Sequence, residues 1–238
     1  MTIEQVLWIY LICFNAAANA APPYLLAYAQ HVRHPGVELP VWQVWTVNDL
    51  HNPPEDHSKI SFAPEWLPDA LVKKDLCDHF ALLFEDEVHQ KLQADFGARA
   101  RWIQYFPIID FILATFDSDH QLEKPLHSAL VIQQPNGINM VFDGSLEQFG
   151  WRKETWLQSE ADFLATRLDQ TEDPCWEYAS DQTRSETREA MLHADGGLWE
   201  QLRIRMEELF GELEWDKLKE TGHEQRTAAV KAQAEAKF

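Results

Sequence analysis

Cysteine is scarce in this chain: only Cys13, Cys77 and Cys175 occur among 238 residues. An odd and small number excludes a framework of several disulfides, although it leaves a single Cys77–Cys175 bridge open. No two of the three have the close spacing that cysteine-based zinc sites use. We therefore expect no multi-disulfide fold and no cysteine-based metal site, and each thiol has to be judged singly.

Basic residues are also few, because 20 Lys and Arg stand against 39 Asp and Glu and give a formal net charge of −19 at pH 7. Such a surface repels phosphate backbones, which argues against nucleic-acid binding. It is compatible with a basic protein partner, with a bound cation, or with solubility through self-repulsion alone. Glycine is sparse as well, with nine residues, and the sequence contains no Gly-rich phosphate-binding loop.

Long hydrophobic runs are missing, and the N-terminal apolar stretch Val6–Phe14 is too short to span a bilayer by itself. Small residues follow it, and the Ala-Asn-Ala motif at 18–20 has the pattern that signal peptidases cut, although no basic residue precedes the run. Residues 1–21 then have three interpretations: a cleaved export signal, a membrane-anchoring or interfacial helix, or a buried helix of a cytoplasmic protein. The first two predict an exported, periplasmic or membrane-associated protein.

Bulky apolar residues are plentiful, with 45% hydrophobic residues, ten Trp and thirteen Phe, so we expect a packed globular body. The residue pattern predicts a short helix over 24–34. A proline-rich irregular stretch follows over 35–70, with a strand at "PVWQVWTV". A helix is predicted from Pro68 to about Gln93, and Gly97 ends it.

The middle of the chain predicts strands at "ARWIQYF", "IIDFILATF", "SALVIQQ" and "NMVFDG", the last two joined by a tight turn at Asn136-Gly137. Helical patterns return after residue 150, and we expect the Ala-rich tail at 223–238 to fray. The predicted fold class is α+β, with one helix packed on an antiparallel sheet and additional C-terminal helices. We divide the chain into a signal or anchor segment (1–21), an α+β core (22–150) and a helical region packed on that core (151–238).

The segment "LCDHFALLF" places Cys77 near the start of the predicted helix. A nucleophilic cysteine reacts as the thiolate, which a free thiol with a pKa of about 8.5 rarely forms at neutral pH. A helix N-terminus and a nearby histidine both favour the thiolate. Cys77 is therefore a candidate nucleophile, and the alternative is a small core residue on the apolar face of the helix.

His127 opens one strand of the predicted hairpin, and Asp143 closes the other. Across a tight turn, the start of one strand and the end of the next come together. Asp143 can then accept a hydrogen bond from one ring nitrogen of His127 while the other nitrogen faces the thiol, which is the arrangement of a catalytic triad. Taken singly, His127 also suits a half-buried histidine, and Asp143 before Gly144 suits an ordinary turn.

In this order the residues resemble the transglutaminase-like cysteine hydrolases, a superfamily with a papain-like Cys-His-Asp triad. The resemblance rests on "CDHFALLFEDEVHQKLQADFGARAR" after the cysteine, "HSALVI" at the histidine and "MVFDGS" at the aspartate, and it covers about residues 70–150. It implies that Cys77 is the nucleophile, His127 the base and Asp143 the orienting residue. The glycine or tryptophan that often flanks such a cysteine is absent, since Leu76 and Asp78 stand there.

Several other residues offer weaker sites. By residue type alone, Trp42 and Gln43 are candidates for an oxyanion partner, and His79 is a second candidate base on the far side of the helix. Two acidic groups suggest metal binding. The first lies on the predicted helix, and a solvated helix face also explains it; it consists of Asp78, Glu85, Asp86 and His89. The second lies in a polar loop and lacks the remaining ligands of a calcium-binding pattern; it consists of Asp117, Asp119 and His120.

The sequence therefore favours a cysteine-dependent acyl-transfer enzyme that hydrolyses amide bonds of a protein or peptide substrate and needs no cofactor. Transglutaminase-like crosslinking is a variant of the same chemistry, but no feature marks a second amine site. The rival hypothesis is a non-enzymatic acidic binding protein of the immunity, inhibitor or adaptor type, which binds a basic protein through its charge and has a degenerate site or none.

Overall fold

The computed structural model describes residues 1–21, 26–33, 38–46, 64–115 and 125–238. This part of the chain folds as α+β, which confirms the predicted fold class. The helices are α1 (Ile3–Ala20), α2 (Leu67–Lys73), α3 (Cys77–Phe96), α4 (Glu160–Thr166), α5 (Asp181–His193), α6 (Leu198–Glu212), α7 (Trp215–Glu220) and α8 (His223–Lys237).

The described strands form two sheets. The larger sheet is antiparallel, with the order β7-β6-β5-β3-β8. In the smaller sheet, ordered β1-β2-β4, β1 runs antiparallel to β2 and β4 runs parallel to it. The strands are β1 (Leu26–Val32), β2 (Val41–Thr46), β3 (Arg99–Tyr105), β4 (Ile112–Thr115), β5 (His127–Gln133), β6 (Asn139–Phe142), β7 (Leu157–Ser159) and β8 (Trp176–Tyr178).

Helix α3 packs its apolar face on strands β3 and β5 of the larger sheet. That face repeats at helical spacing through Phe80, Phe84, Val88 and Leu92, all of which are fully buried. Gly97 ends the helix in the left-handed conformation at φ 67°, which glycine adopts without the steric cost of a side chain. The predicted packing of a cysteine-bearing helix on an antiparallel sheet is thus present.

The predicted helix over Pro68–Gln93 is wrong as one element, since α2 ends at Lys73 and α3 begins at Cys77. Asp75 lies in the break with φ 59°, a left-handed backbone conformation that cannot continue a right-handed helix. This break gives Cys77 a helix N-terminus of its own.

The predicted helix over 24–34 is also wrong, because its described part is strand β1. Each residue of β1 beyond its bulge pairs with β2, so tertiary hydrogen bonding overrides the local helical preference of "LAYAQHV". The strand at "PVWQVWTV" is present as β2, and "IIDFILATF" contributes β4 to the smaller sheet. The prolines at 22–23, 35 and 53–54 and the polar loop with Asp117, Asp119 and His120 lie outside the described residues.

The C-terminal tail does not fray as predicted, since residues 223–237 form helix α8 against α1. Arg226, Val230 and Ala234 recur every four residues and are buried, so one face of α8 belongs to the protein core. Strands β7 and β8 also come from beyond residue 150 and extend the larger sheet. The C-terminal region therefore shares both a sheet and a core with the preceding residues.

Helix α1 is, among the described residues, the one helix that is long and apolar enough to cross a membrane. It begins with a capping box between Thr2 and Gln5, and ten of its residues are buried in the protein core. A core helix and an N-terminal signal sequence meet the same length and composition criterion. Export, anchoring and a cytoplasmic location all stay predictions.

Candidate active site

Cys77 is the first residue of α3, whereas the sequence placed it near the start of one helix that began at Pro68. The first turn of a helix has backbone N–H groups without partners inside the helix, and the helix dipole is positive there. Cys77 is 8% exposed, so it is nearly buried.

His127 and Asp143 are brought together by the hairpin of β5 and β6. Gly137 donates its backbone N–H to Gln134 in the turn, and its φ of 79° is one that glycine tolerates. His127 is the first residue of β5, and Asp143 directly follows β6. His127 Nε2 lies 2.7 Å from Asp143 Oδ2, which is the hydrogen bond that the sequence predicted.

The Asp143 carboxylate is held by groups other than the histidine. The backbone N–H of Ser145 donates to Asp143 Oδ1 at 2.9 Å, and the Tyr105 hydroxyl lies 3.5 Å from Oδ2. Asp143 also donates its own backbone N–H to the Trp156 carbonyl, so its main chain is fixed as well. A carboxylate restrained in this way can hold the imidazole in one orientation.

The His127 ring is hydrogen-bonded to Asp143, and Cys77 lies near enough to affect the charge of the ring. Burial opposes a positive charge on this fully buried ring. The carboxylate of Asp143 and, to a smaller extent, the nearby Cys77 act in the other sense and outweigh burial, which raises the pKa of His127 from 6.5 to about 10. The imidazolium form is thereby favoured at neutral pH.

Gln148 is the site residue that sequence reasoning missed. It lies in the 3-10 turn Leu146–Phe149, and its Nε2 is 3.2 Å from His127 Nδ1 and 3.3 Å from Ser145 Oγ. With the ring neutral, the amide can donate to Nδ1. With the ring protonated, Nδ1 donates to the amide oxygen of Gln148 or to the sulfur of Cys77. A glutamine five residues after the aspartate belongs to no recognisable motif. The one indication in the sequence is the turn expected at Asp143-Gly144, just before Gln148.

Asp78, which follows the thiol in sequence, turns its carboxylate toward the sheet. Asp78 Oδ1 accepts a hydrogen bond from the Ser128 hydroxyl, which in turn accepts one from Trp102 Nε1 at 2.8 Å. The same carboxylate oxygen lies 4.0 Å from Cys77 Sγ. A negative charge therefore lies within weak hydrogen-bonding range of the sulfur, on an oxygen already held by Ser128.

Aromatic rings enclose the imidazole. The ring centroids of Phe149, Tyr105 and Trp151 lie 4.7, 5.1 and 6.0 Å from that of His127, and each ring is nearly perpendicular to it. Such apolar walls exclude water and strengthen the electrostatic interactions inside. They also leave the histidine itself with no exposed surface.

The weaker candidates have other contacts. The His79 ring on α3 packs against the Trp199 ring on α6, with their centroids 4.9 Å apart. On the predicted acidic helix face, Glu85 binds Arg184 through two hydrogen bonds of 2.8 Å and also accepts the backbone N–H of Trp102. Trp42 packs beside a small cluster formed by β1, β2 and α2.

Metal-ligating clusters of three or more His, Cys, Asp or Glu residues are absent from the part of the chain that the structure describes. The three cysteines are free thiols, so Cys77 and Cys175 form no bridge.

Comparison with known proteins gives no relative: no family model, no curated protein and no solved structure matches this chain.

Proposed function

We propose that this protein is a cysteine-dependent acyl-transfer enzyme that cleaves an amide bond of a protein or peptide substrate. The observation that carries the proposal is the 2.7 Å hydrogen bond between His127 Nε2 and Asp143 Oδ2. Gln148 Nε2 lies 3.2 Å from the other ring nitrogen, and Cys77 at the N-terminus of α3 is the thiol that this histidine would serve. The same three residues carry the resemblance to transglutaminase-like cysteine hydrolases.

In the proposed reaction, Cys77 Sγ attacks the substrate carbonyl carbon and His127 holds the thiol proton. The imidazolium then gives that proton to the leaving amine, and a thioester remains on Cys77. A water molecule, deprotonated by His127, hydrolyses the thioester and restores the thiol. Asp143 keeps the ring oriented throughout and stabilises its positive charge. These steps balance without a redox partner.

Thiol alkylation tests the proposal with two internal controls. Cys175 is half-buried and more exposed than Cys77, while burial raises the pKa of the Cys13 thiol to about 12 and makes it inert. We expect iodoacetamide at pH 7 to modify Cys77 first, then Cys175, and Cys13 last, as read by peptide mass spectrometry. Reactivity would then follow the activation of the thiol and not its exposure.

The variants His127→Gln and Asp143→Asn complete the experiment. Each should slow alkylation of Cys77 by at least about tenfold and leave the rate at Cys175 unchanged, because the base and its orienting group act on Cys77 alone. Cys77 reacting more slowly than Cys175 in the unmodified protein, with no effect of either variant, contradicts the proposal.

A second candidate function is an acidic binding protein that uses its −19 charge to bind a basic protein. The burial of the site favours it, since His127 is fully buried and Cys77 nearly so. In that case the His127–Asp143 pair is a structural hydrogen bond of the core. Alkylation rates that follow exposure are the expected result for this function.

A further inference from the structure

Lys73 is buried in an unusual setting for a lysine. It is the last residue of α2, 5% exposed, and its Nζ lies 4.2 Å from the centre of the Phe14 ring. The amine donates hydrogen bonds to Asn15 Oδ1 at 2.5 Å and to the Gly144 carbonyl at 3.0 Å. Both of these hydrogen bonds go to groups outside the Cys77, His127 and Asp143 side chains.

The Lys73 amine lies against the Asn15 side-chain amide. Because a C=O bond is about 1.2 Å long, an amine 2.5 Å from Oδ1 lies less than about 4 Å from the amide carbon Cγ. Reacting atoms at about 3–3.5 Å are in near-attack geometry, and this upper limit is close to that range. Helices α1 and α2, which carry the two side chains, pack against each other.

Two acid–base conditions for amine attack on an amide are also met. Burial lowers the pKa of Lys73 from 10.5 to about 8, although the charges of Glu147, Asp143 and Asp69 act in the opposite direction. A fraction of the amine is therefore uncharged, and hence nucleophilic, near neutral pH. Burial also raises the pKa of Glu147, against the effect of Lys73, so its carboxyl holds a proton more readily than a free glutamate does.

Glu147 is the acidic group with the strongest effect on Lys73, and it lies in the 3-10 turn that packs on α2. Its Oε2 is buried and has no hydrogen-bond partner among the described residues. A buried carboxyl oxygen without a partner is costly unless the group is protonated or has a role. Proton transfer to an amide nitrogen that leaves is such a role.

We propose that Lys73 and Asn15 form an intramolecular isopeptide bond, with Glu147 as the proton carrier. Lys73 Nζ attacks Asn15 Cγ, the Nζ–Cγ bond forms, and the bond from Cγ to Nδ2 breaks. One proton passes from Nζ through the Glu147 carboxyl to Nδ2, which leaves as ammonia. The step needs no oxidant and no co-reactant. It ties α1 covalently to α2, independently of the chemistry at Cys77.

Mass spectrometry of the full-length protein tests this inference. After incubation of the folded protein at pH 9, we expect its mass to fall by one ammonia. Trypsin cannot cut after an acylated lysine, so digestion should yield one branched peptide that joins the segment with Asn15 to the segment with Lys73. The peptide map is essential, because succinimide formation at Asn136-Gly137 loses the same mass without a branch.

Matched variants separate the chemistry from folding. Lys73→Arg and Asn15→Ala should abolish the branched peptide, and Glu147→Gln should slow its formation by about 100-fold or more. Lys74→Arg changes the neighbouring lysine, which pairs with Asp75, and should leave the branched peptide in full yield. Circular dichroism on the same samples establishes that each variant is folded. Folded unmodified protein that gives only separate peptides after incubation at pH 9 overturns the inference.

Discussion

His127 Nε2 and Asp143 Oδ2 are 2.7 Å apart in the interior of the protein, at the open end of one β-hairpin. Both residues belong to a segment whose register is set by a tight turn, so their contact depends on local geometry. Cys77 comes from helix α3, which packs on the same sheet, and it lies near enough to affect the charge of the ring. The pair is thus the rigid part of the candidate site, and the thiol is the part supplied by tertiary packing.

The raised pKa of His127 predicts how this pair contributes to stability. Because the pKa rises from 6.5 to about 10 on folding, the pair stabilises the protein fully below about pH 6.5, and this contribution is lost as the pH rises through about 10. Lys73 acts in the opposite sense, since its lowered pKa of about 8 means that the cost of burying its charge is relieved at higher pH. The contribution of the pair is therefore measured as the difference in the free energy of unfolding between the unmodified protein and a variant that lacks the Asp143 charge.

We expect Asp143→Asn to lower the free energy of unfolding most below about pH 6.5, with the difference from the unmodified protein shrinking toward pH 10. Urea unfolding at several pH values measures it. Asp181→Asn alters a fully exposed carboxylate on α5 and should show a small difference at every pH. A loss of stability at Asp143→Asn that is independent of pH contradicts the assignment of the ion pair.

Gly144 directly follows Asp143 and packs closely against Phe80 of helix α3, which is possible because glycine has no side chain. A Cβ at this position would lie 2.5 Å from two carbon atoms of the Phe80 ring. That ring is fully buried and packs against Phe14, Phe84 and Phe142, so it has little room to move. We expect Gly144→Ala to destabilise the protein by about 1–3 kcal/mol and to slow alkylation of Cys77 by displacing Asp143.

Gly211 in α6 is the matched control, because an added Cβ there meets no heavy atom within 4 Å. Gly211→Ala should raise stability by about 0.5–1 kcal/mol through the better helix propensity of alanine. Thermal and urea unfolding of the two variants compare the effects directly. Equal stability of Gly144→Ala and the unmodified protein would contradict the prediction and show that the Phe80 ring can move aside.

The sequence predicted those parts of the site that depend on short-range rules. The turn at Asn136-Gly137 and the alternation of the strands were enough to pair His127 with Asp143. The sequence placed Cys77 only near the start of a longer helix, because it did not predict the left-handed Asp75 that separates α2 from α3. Gln148 reaches the ring from an irregular turn, and no periodic pattern marks such a contact.

The errors in the fold have similar causes. β1 is held by pairing with β2, and that pairing cannot be read from its own seven residues. Strands β7 and β8 have three residues each, which is too short to leave an alternating pattern. The tail was expected to fray because alanine contributes little apolar surface, but small residues let α8 pack closely on α1.

The packing of α8 on α1 gives the last prediction. Ala234 is fully buried on α8, while Ala229 on the same helix is exposed. We expect Ala234→Leu to lower the free energy of unfolding by about 1–3 kcal/mol, because the larger side chain must force the helices apart. Ala229→Leu should change it by less than about 0.5 kcal/mol, since leucine is a good helix former at an exposed site. Equal effects of the two substitutions in urea unfolding would mean that the tail is detached from the core in solution.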